Sequence, residues 1–324
     1  MPDAYIPRSD HRRSGPGARI QRPDRWNRPE ARLLSPRSRI YRSVPVSGDV
    51  LAAARVLLAW DGTAYGGWQL QPNVETVQGA VERVLAQLMD RDRVIARAAG
   101  RLDAGVHAEA QVVSFAVMSR RTTRELFRGM NGLLPDDIAC LALSSAADGY
   151  DPRRENCGKT YRYRFLVREN RCPFRRTRCW HLGRALDLES MRRAARWLLG
   201  AHDFTSFRAS GCTALHPVRM IRSIELDLVG DEVHLVVHGN AFLRYQVRIM
   251  AGCLAEVGLG RQPPEWMGAV LAAADRNRAA RTAPAHGLTL ERVHFWSALD
   301  WEHGEDPGAR SMRADVPSFA LGNR

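Results

Sequence analysis

The sequence predicts an α+β fold built as two successive lobes, and three observations carry that prediction. Short apolar runs of strand length alternate with stretches of helical periodicity. This pattern is run through twice, with a break near Tyr150–Asn156. A hydrophobic content of 45% over 324 residues is enough to bury a substantial core. Two such halves are expected to present facing sheets.

In order along the chain, residues 55–60 (RVLLAW) read as a strand ending at the Asp61-Gly62 turn signal. Residues 76–89 set Val77, Ala80, Val81, Val84, Leu85 and Leu88 at helical spacing. Residues 94–98 read as extended and feed a loop over 100–107, after which 111–117 (QVVSFAV) return as a strand. A helix over 124–134 stops at Pro135-Asp136, and 138–143 form a further strand. In the second half, 159–168 alternate as a strand and 188–199 make an amphipathic helix. Residues 218–229 and 232–239 form a hairpin around Gly230-Asp231. Helices over 242–257 and 265–274 precede a last strand over 288–295.

The ends differ in kind from this body. Residues 1–50 hold eleven arginines against five acidic residues, and seven prolines. They have too little apolar surface to offset the entropy of ordering, so a disordered basic arm is expected. That arm either brushes RNA phosphates or is sequence upstream of the true start. The expected organisation is thus the arm over 1–50, a first lobe over 51–150, a second over 151–300 and a loose polar tail over 301–324.

The formal net charge is +13, and Lys159 is the only lysine. Such an excess favours a polyanionic partner, because each phosphate neutralised releases counterions and adds affinity. No apolar run approaches the roughly 18 residues of a membrane span, and the arginines near the start lack the apolar segment of a secretory signal. The cytoplasm is the expected compartment. The six cysteines form no C-x-x-C pair, so free thiols are expected and a structural zinc is not.

The chemistry concentrates in Gly100-Arg101-Leu102-Asp103-Ala104-Gly105-Val106-His107-Ala108. A carboxylate on a tight loop can be a nucleophile, a general base or a metal ligand, and a neighbouring cation keeps it ionised while burial opposes this. Alone, an R-x-D-x-G loop reads equally as a turn with a local ion pair.

The nonapeptide GRLDAGVHA is similar to the catalytic loop of the TruA-like family of tRNA pseudouridine synthases, GRTDAGVHA, with Leu102 where that family has threonine. Five further stretches resemble family motifs in the same order. They are Tyr65-Gly66-Gly67-Trp68-Gln69-Leu70-Gln71 with Thr76-Val77-Gln78; Gly132-Leu133-Leu134-Pro135-Asp136-Asp137-Ile138; Lys159-Thr160-Tyr161-Arg162-Tyr163; Gly200-Ala201-His202-Asp203-Phe204-Thr205-Ser206-Phe207; and residues 241–252, in which Gln246 stands where methionine is common. The tetrad Gly-Arg-Leu-Asp also resembles the loop of the RsuA- and RluA-like synthases, whereas Ala104–Ala108 resembles the TruA-like pattern alone.

The resemblance implies a pseudouridine synthase fold: two α+β lobes sharing a central mixed or antiparallel sheet, helices on the outer face and a catalytic cleft between lobes. It implies an isomerase that converts uridine to pseudouridine in the tRNA anticodon stem-loop, at positions 38 to 40, with no cofactor and no metal. By the same resemblance Asp103 is the nucleophile. Tyr161 stacks on the uracil, Arg248 grips Asp103 with a guanidinium fork, and Arg101 stands at the mouth of the site. A homodimer gripping one tRNA is also implied. His107 is expected to cap a loop, and His202 and Asp203 to be structural or RNA-contacting. Other readings are a synthase acting on another RNA and a non-catalytic RNA-binding protein. An aspartate-based phosphohydrolase is disfavoured because glycine occupies position 105, where a second carboxylate would be needed.

Overall fold

The computed structural model describes residues 53–307. The basic arm expected over 1–50 lies outside them, as do residues 308–324 of the tail. The first half comprises β1 (Ala53–Trp60), α1 (Val77–Met89), β2 (Arg97–Ala98), β3 (His107–Ala116), α2 (Thr123–Leu133) and β4 (Ile138–Ala146). A single helical turn, α3 (Pro152–Glu155), leads into β5 (Asn156–Leu166), β6 (Trp180–His181), α4 (Leu188–Arg196) and β7 (Gly200–Asp203). Then come β8 (Val218–Val229), β9 (Glu232–Gly239), α5 (Gln246–Gly258), α6 (Trp266–Ala273), β10 (Leu288–Phe295) and β11 (His303–Gly304).

These strands form one mixed sheet in the order β11-β4-β1-β3-β10-β5-β9-β8-β7, with β2 beside β3 and β6 beside β5. The facing sheets expected from the alternation alone are therefore replaced by a single continuous one, the shared mixed sheet that the family resemblance implied. Its join is the parallel pairing of β10 with β3, where Thr289 lies opposite His107 and Leu290 opposite Ala108. Leu290 also lies opposite Tyr161 of β5. One strand thus separates the exit of the 100–107 loop from Tyr161, a backbone span of about 10 Å.

Local sequence explains the elements that frame this region. β1 is covered on both faces, so its sequence is an almost unbroken apolar run rather than an alternation. β9 alternates buried and half-buried residues, as a strand with one covered face should. Thr76 caps α1 by accepting from Gly79 N, and Thr122 with Glu125 forms a reciprocal capping box on α2. α5 is the central helix: of its 13 residues only Arg248 and Glu256 escape burial. Gly252 makes that depth possible, because a Cβ there would lie 2.1 Å from the Arg281 carbonyl oxygen of the segment crossing α5.

The expected helix over 242–257 begins only at Gln246, because Tyr245 takes a left-handed conformation (φ 65°) as its N-cap. The expected 188–199 helix ends at Arg196. The expected 111–117 strand starts earlier, at His107. The tail is not loose at its start: β11 pairs with β4, and Glu302 accepts hydrogen bonds from Ser145 N (2.9 Å) and Thr123 Oγ1 (2.8 Å).

Candidate active site

The loop carrying Asp103 is held by backbone. Trp68 N donates to Leu102 O (3.0 Å), Gly105 N to Tyr65 O (3.2 Å) and Val106 N to Asp103 O (3.2 Å). Trp60 Nε1 adds a bond to Val106 O (3.1 Å), and its ring packs on Trp68 with centroids 5.8 Å apart. The Tyr65–Trp68 turn lies so close that a Cβ on Gly67, at φ 95°, would sit 2.6 Å from Leu102 O. The Leu102 side chain is buried in the core while its carbonyl anchors the loop.

His107 closes the loop. Its buried ring accepts from Gly62 N at Nδ1 (3.0 Å), which places the proton on Nε2, facing the carbonyls of Thr177 (2.8 Å) and His286 (3.2 Å). Asp61 Oδ1 lies 3.1 Å from Nδ1. Burial nonetheless pushes the imidazole pKa down, against the pull of Asp61, and the bond from Gly62 N is one only a neutral ring can accept. His107 is a neutral tie between three segments, which agrees with a capping role.

From α5, Arg248 reaches Asp103, Nη1 to Oδ2, at 3.4 Å. The expected fork is divided: Nε donates instead to the Ala283 carbonyl (2.9 Å), and Ala283 N returns a bond to Arg248 O (3.1 Å). The guanidinium also lies over the Tyr245 ring at 4.5 Å, whose other neighbour is Arg244 at 4.9 Å. The Asp103 side chain keeps 24% of its surface exposed. Burial raises its pKa, and the charges of Arg248 and then Arg244 pull in the opposite direction without cancelling the rise.

Tyr161 is buried, packed edge-on against Phe242 with centroids 5.0 Å apart. Burial first, and then the charge of Asp103, raises its phenol far above the ordinary range, so the hydroxyl stays neutral. Tyr163, two residues on, is sealed in the core with its hydroxyl on Pro284 O (2.8 Å). Arg101 is exposed and has no ion-pair partner among the described residues, so the loop is tethered without it. The arrangement thus brings Asp103, Arg248 and Tyr161 together and leaves Arg101 at the surface beside them.

The "tRNA pseudouridine synthase" family model matches residues 194–296. A tRNA pseudouridine synthase A of Myxococcus xanthus is 46% identical over 242 residues, covering 74% of this chain and 91% of that one. The chain belongs to the tRNA pseudouridine synthase family. The corresponding protein of Geobacter sulfurreducens is 43% identical over 241 residues, covering 74% of this chain and 98% of its own.

Within this member of the family, sequence reasoning missed Tyr245, Phe242 and the Ala283 carbonyl. A backbone acceptor leaves no mark on composition, and the run Phe242–Tyr245 was absorbed into a predicted helix. Lys159 did leave a signal, as the one lysine of the chain. It is buried, donates to Asn156 Oδ1 (3.0 Å), and lies against Gly100, where an added Cβ would meet its Cε at 2.9 Å. Burial, helped by the charge of Arg153, lowers its pKa to about 8. Among the described residues no group of three or more His, Cys, Asp and Glu is arranged to hold a metal, and no helix is long and apolar enough to cross a membrane.

Proposed function

We propose that the protein isomerises uridine to pseudouridine in tRNA with Asp103 as the nucleophile. The observation that carries this reading is a partly exposed carboxylate fixed by Arg248 at 3.4 Å, beside a buried, neutral tyrosine. Reactant and product are isomers. The bond from ribose C1′ to N1 breaks, one from C1′ to C5 forms, and the proton lost from C5 is matched by one gained at N1. Nothing is oxidised or transferred, so the chemistry calls for positioning and a nucleophile rather than a redox group.

In this reading Asp103 attacks the bound nucleotide as the carboxylate. Arg248 aims it with one prong while its second prong is anchored on Ala283. Tyr161 provides a flat apolar surface for the base. Arg101, exposed beside the nucleophile, occupies the space a flipped uridine leaves or meets its phosphate; extrusion itself costs a few kcal/mol. Family likeness supports the anticodon stem-loop, positions 38 to 40, as target, a homodimer as the working form and the cytoplasm as the place of action. Lobes over 51–150 and 151–300, with the cleft between them, follow the same reading. It is supported by the site's drawing Asp103 from the first and Tyr161 and Arg248 from the second.

The test is to map pseudouridine in tRNA from cells lacking the gene. Wild type is expected to restore it and Asp103→Asn to leave it undetectable, a loss of at least about a thousandfold in rate. Full restoration by the Asn protein would remove Asp103 from the chemistry.

A further inference from the structure

Beside the Asp103–Arg248 pair lies a second concavity, of about 640 Å³, whose lining includes Ser210, Arg244, Tyr245, Arg276, Arg281 and Thr282 and no carboxylate. Several arginines of this fold are neutralised by carboxylates: Arg162 by Glu291, Arg164 by Glu109, Arg175 by Asp231 and Glu232. Three others are gathered around this one cavity. None has an acidic partner among the described residues. Arg276 is pinned through neutral acceptors, the Ala279 carbonyl (3.3 Å) and Thr282 Oγ1 (3.1 Å). Arg244 lies over Tyr245 at 4.9 Å and Arg281 over Trp180 at 5.2 Å.

Three guanidinium groups around one cavity repel each other, and a structure that gathers them without a counter-charge is arranged for an anion from outside. Stacking on aromatic faces and bonds to neutral oxygens orient them while leaving the charge uncompensated. The pocket also touches the reaction centre. Tyr245, one of its walls, carries Arg248 on its ring, and the Arg244 charge is felt at Asp103. Thr282 adjoins Ala283, whose carbonyl holds the Arg248 Nε.

We propose that this pocket binds one phosphodiester of the RNA strand next to the uridine presented to Asp103, with Arg244 and Arg281 as its mobile clamps and Arg276 as its fixed floor. A phosphate seated there places the neighbouring sugar at the nucleophile, so the pocket sets how the strand is registered, not only how tightly it is held. The assignment rests on the RNA-modifying reading above.

The test is a thermodynamic cycle with stem-loop RNAs in which single linkages around the target uridine are replaced by neutral methylphosphonates. Binding is compared between wild type and the Arg244→Gln/Arg281→Gln protein. The expected result is one linkage whose neutralisation weakens wild type by about tenfold and the double variant by less than about twofold, with a salt slope shallower by about 1 in the variant. Arg244→Lys/Arg281→Lys keeps both charges and is expected to keep the position-specific penalty, which guards against a variant that merely fails to fold. Equal penalties in wild type and Gln protein at every linkage would overturn the proposal. Failure of wild type to bind or isomerise the unmodified RNA would instead overturn the underlying reading. Loss of wild-type binding with inorganic phosphate at millimolar levels, undiminished in the Gln protein, would place the anion site elsewhere.

Discussion

The two walls of the active site are built by different means. The Asp103 wall is held by main-chain bonds from Trp68, Gly105 and Val106, each independent of a long side chain. The Arg248 wall is held by side chains: a guanidinium split between Asp103 and Ala283, and two arginines on one tyrosine ring. Backbone bracing fixes Asp103 through the fold itself. Side-chain bracing costs rotamer entropy and leaves the arginine cluster able to adjust when a substrate arrives. Damage to the first wall is therefore expected to register as lost stability, and damage to the second as lost turnover.

The strongest way to break that contrast is Arg248→Ala. Turnover is expected to fall about a hundredfold or more with tRNA affinity changed by less than about threefold, as single-turnover kinetics and filter binding would read. Equal losses in both would make Arg248 a binding residue. The same variant sharpens the electrostatics. Burial already raises the Asp103 pKa, so activity should be lost on the acid side at a higher pH than an ordinary aspartate, near 3.9, would give. Because the Arg248 charge acts downward, its removal should move that acid limb further up; an unmoved limb would show that the pair does not tune the acid.

On the backbone-held wall the effects should be in melting. Lys159, beneath the loop at Gly100, is lowered from its unfolded value to about 8. The unfolded chain then binds more protons than the native one between about pH 8 and about pH 10.4. The cost of burying the ammonium is fully present below that window and is relieved as pH rises through it, by an amount on the order of 3 kcal/mol. Lys159→Met should flatten the alkaline gain seen in denaturant midpoints, and a persisting gain would assign it to other groups. Gly67→Ala forces a Cβ into Leu102 O at a positive φ and should cost about 2 kcal/mol in urea melts, with kcat of the folded fraction within a few fold. A large kcat loss at unchanged stability would erase the distinction between the walls.

Much of this was readable from sequence, for identifiable reasons. The β8–β9 hairpin announced its own turn at Gly230-Asp231. α5 was mis-started because Phe242 and Leu243 are apolar and nothing in their identity reveals a left-handed Tyr245, fixed by Gln246 Oε1 accepting from Leu243 N (2.8 Å). β7 escaped notice because Gly200–Asp203 lacks an alternating pattern and only its pairing with β8 makes it a strand. The single sheet was expected from the family resemblance but not from the alternation of elements, because two residue pairs of parallel contact decide it. At the site, Asp103, Tyr161, Arg101 and Arg248 were marked by stretches that resemble the family's motifs. The carbonyl of Ala283 and the packing of Tyr245 between two arginines depend on where distant segments cross.

The short seam between β3 and β10 has a consequence for how the protein is made. Leu290 is the residue that touches both Ala108 and Tyr161, and it lies near the end of the described chain. During synthesis the strands of the first half can pair as soon as they leave the ribosome, yet the Asp103 loop and Tyr161 are brought into register only after Leu290 has been translated. Polypeptides released before that strand would lack the pairing that sets the Asp103 loop against Tyr161.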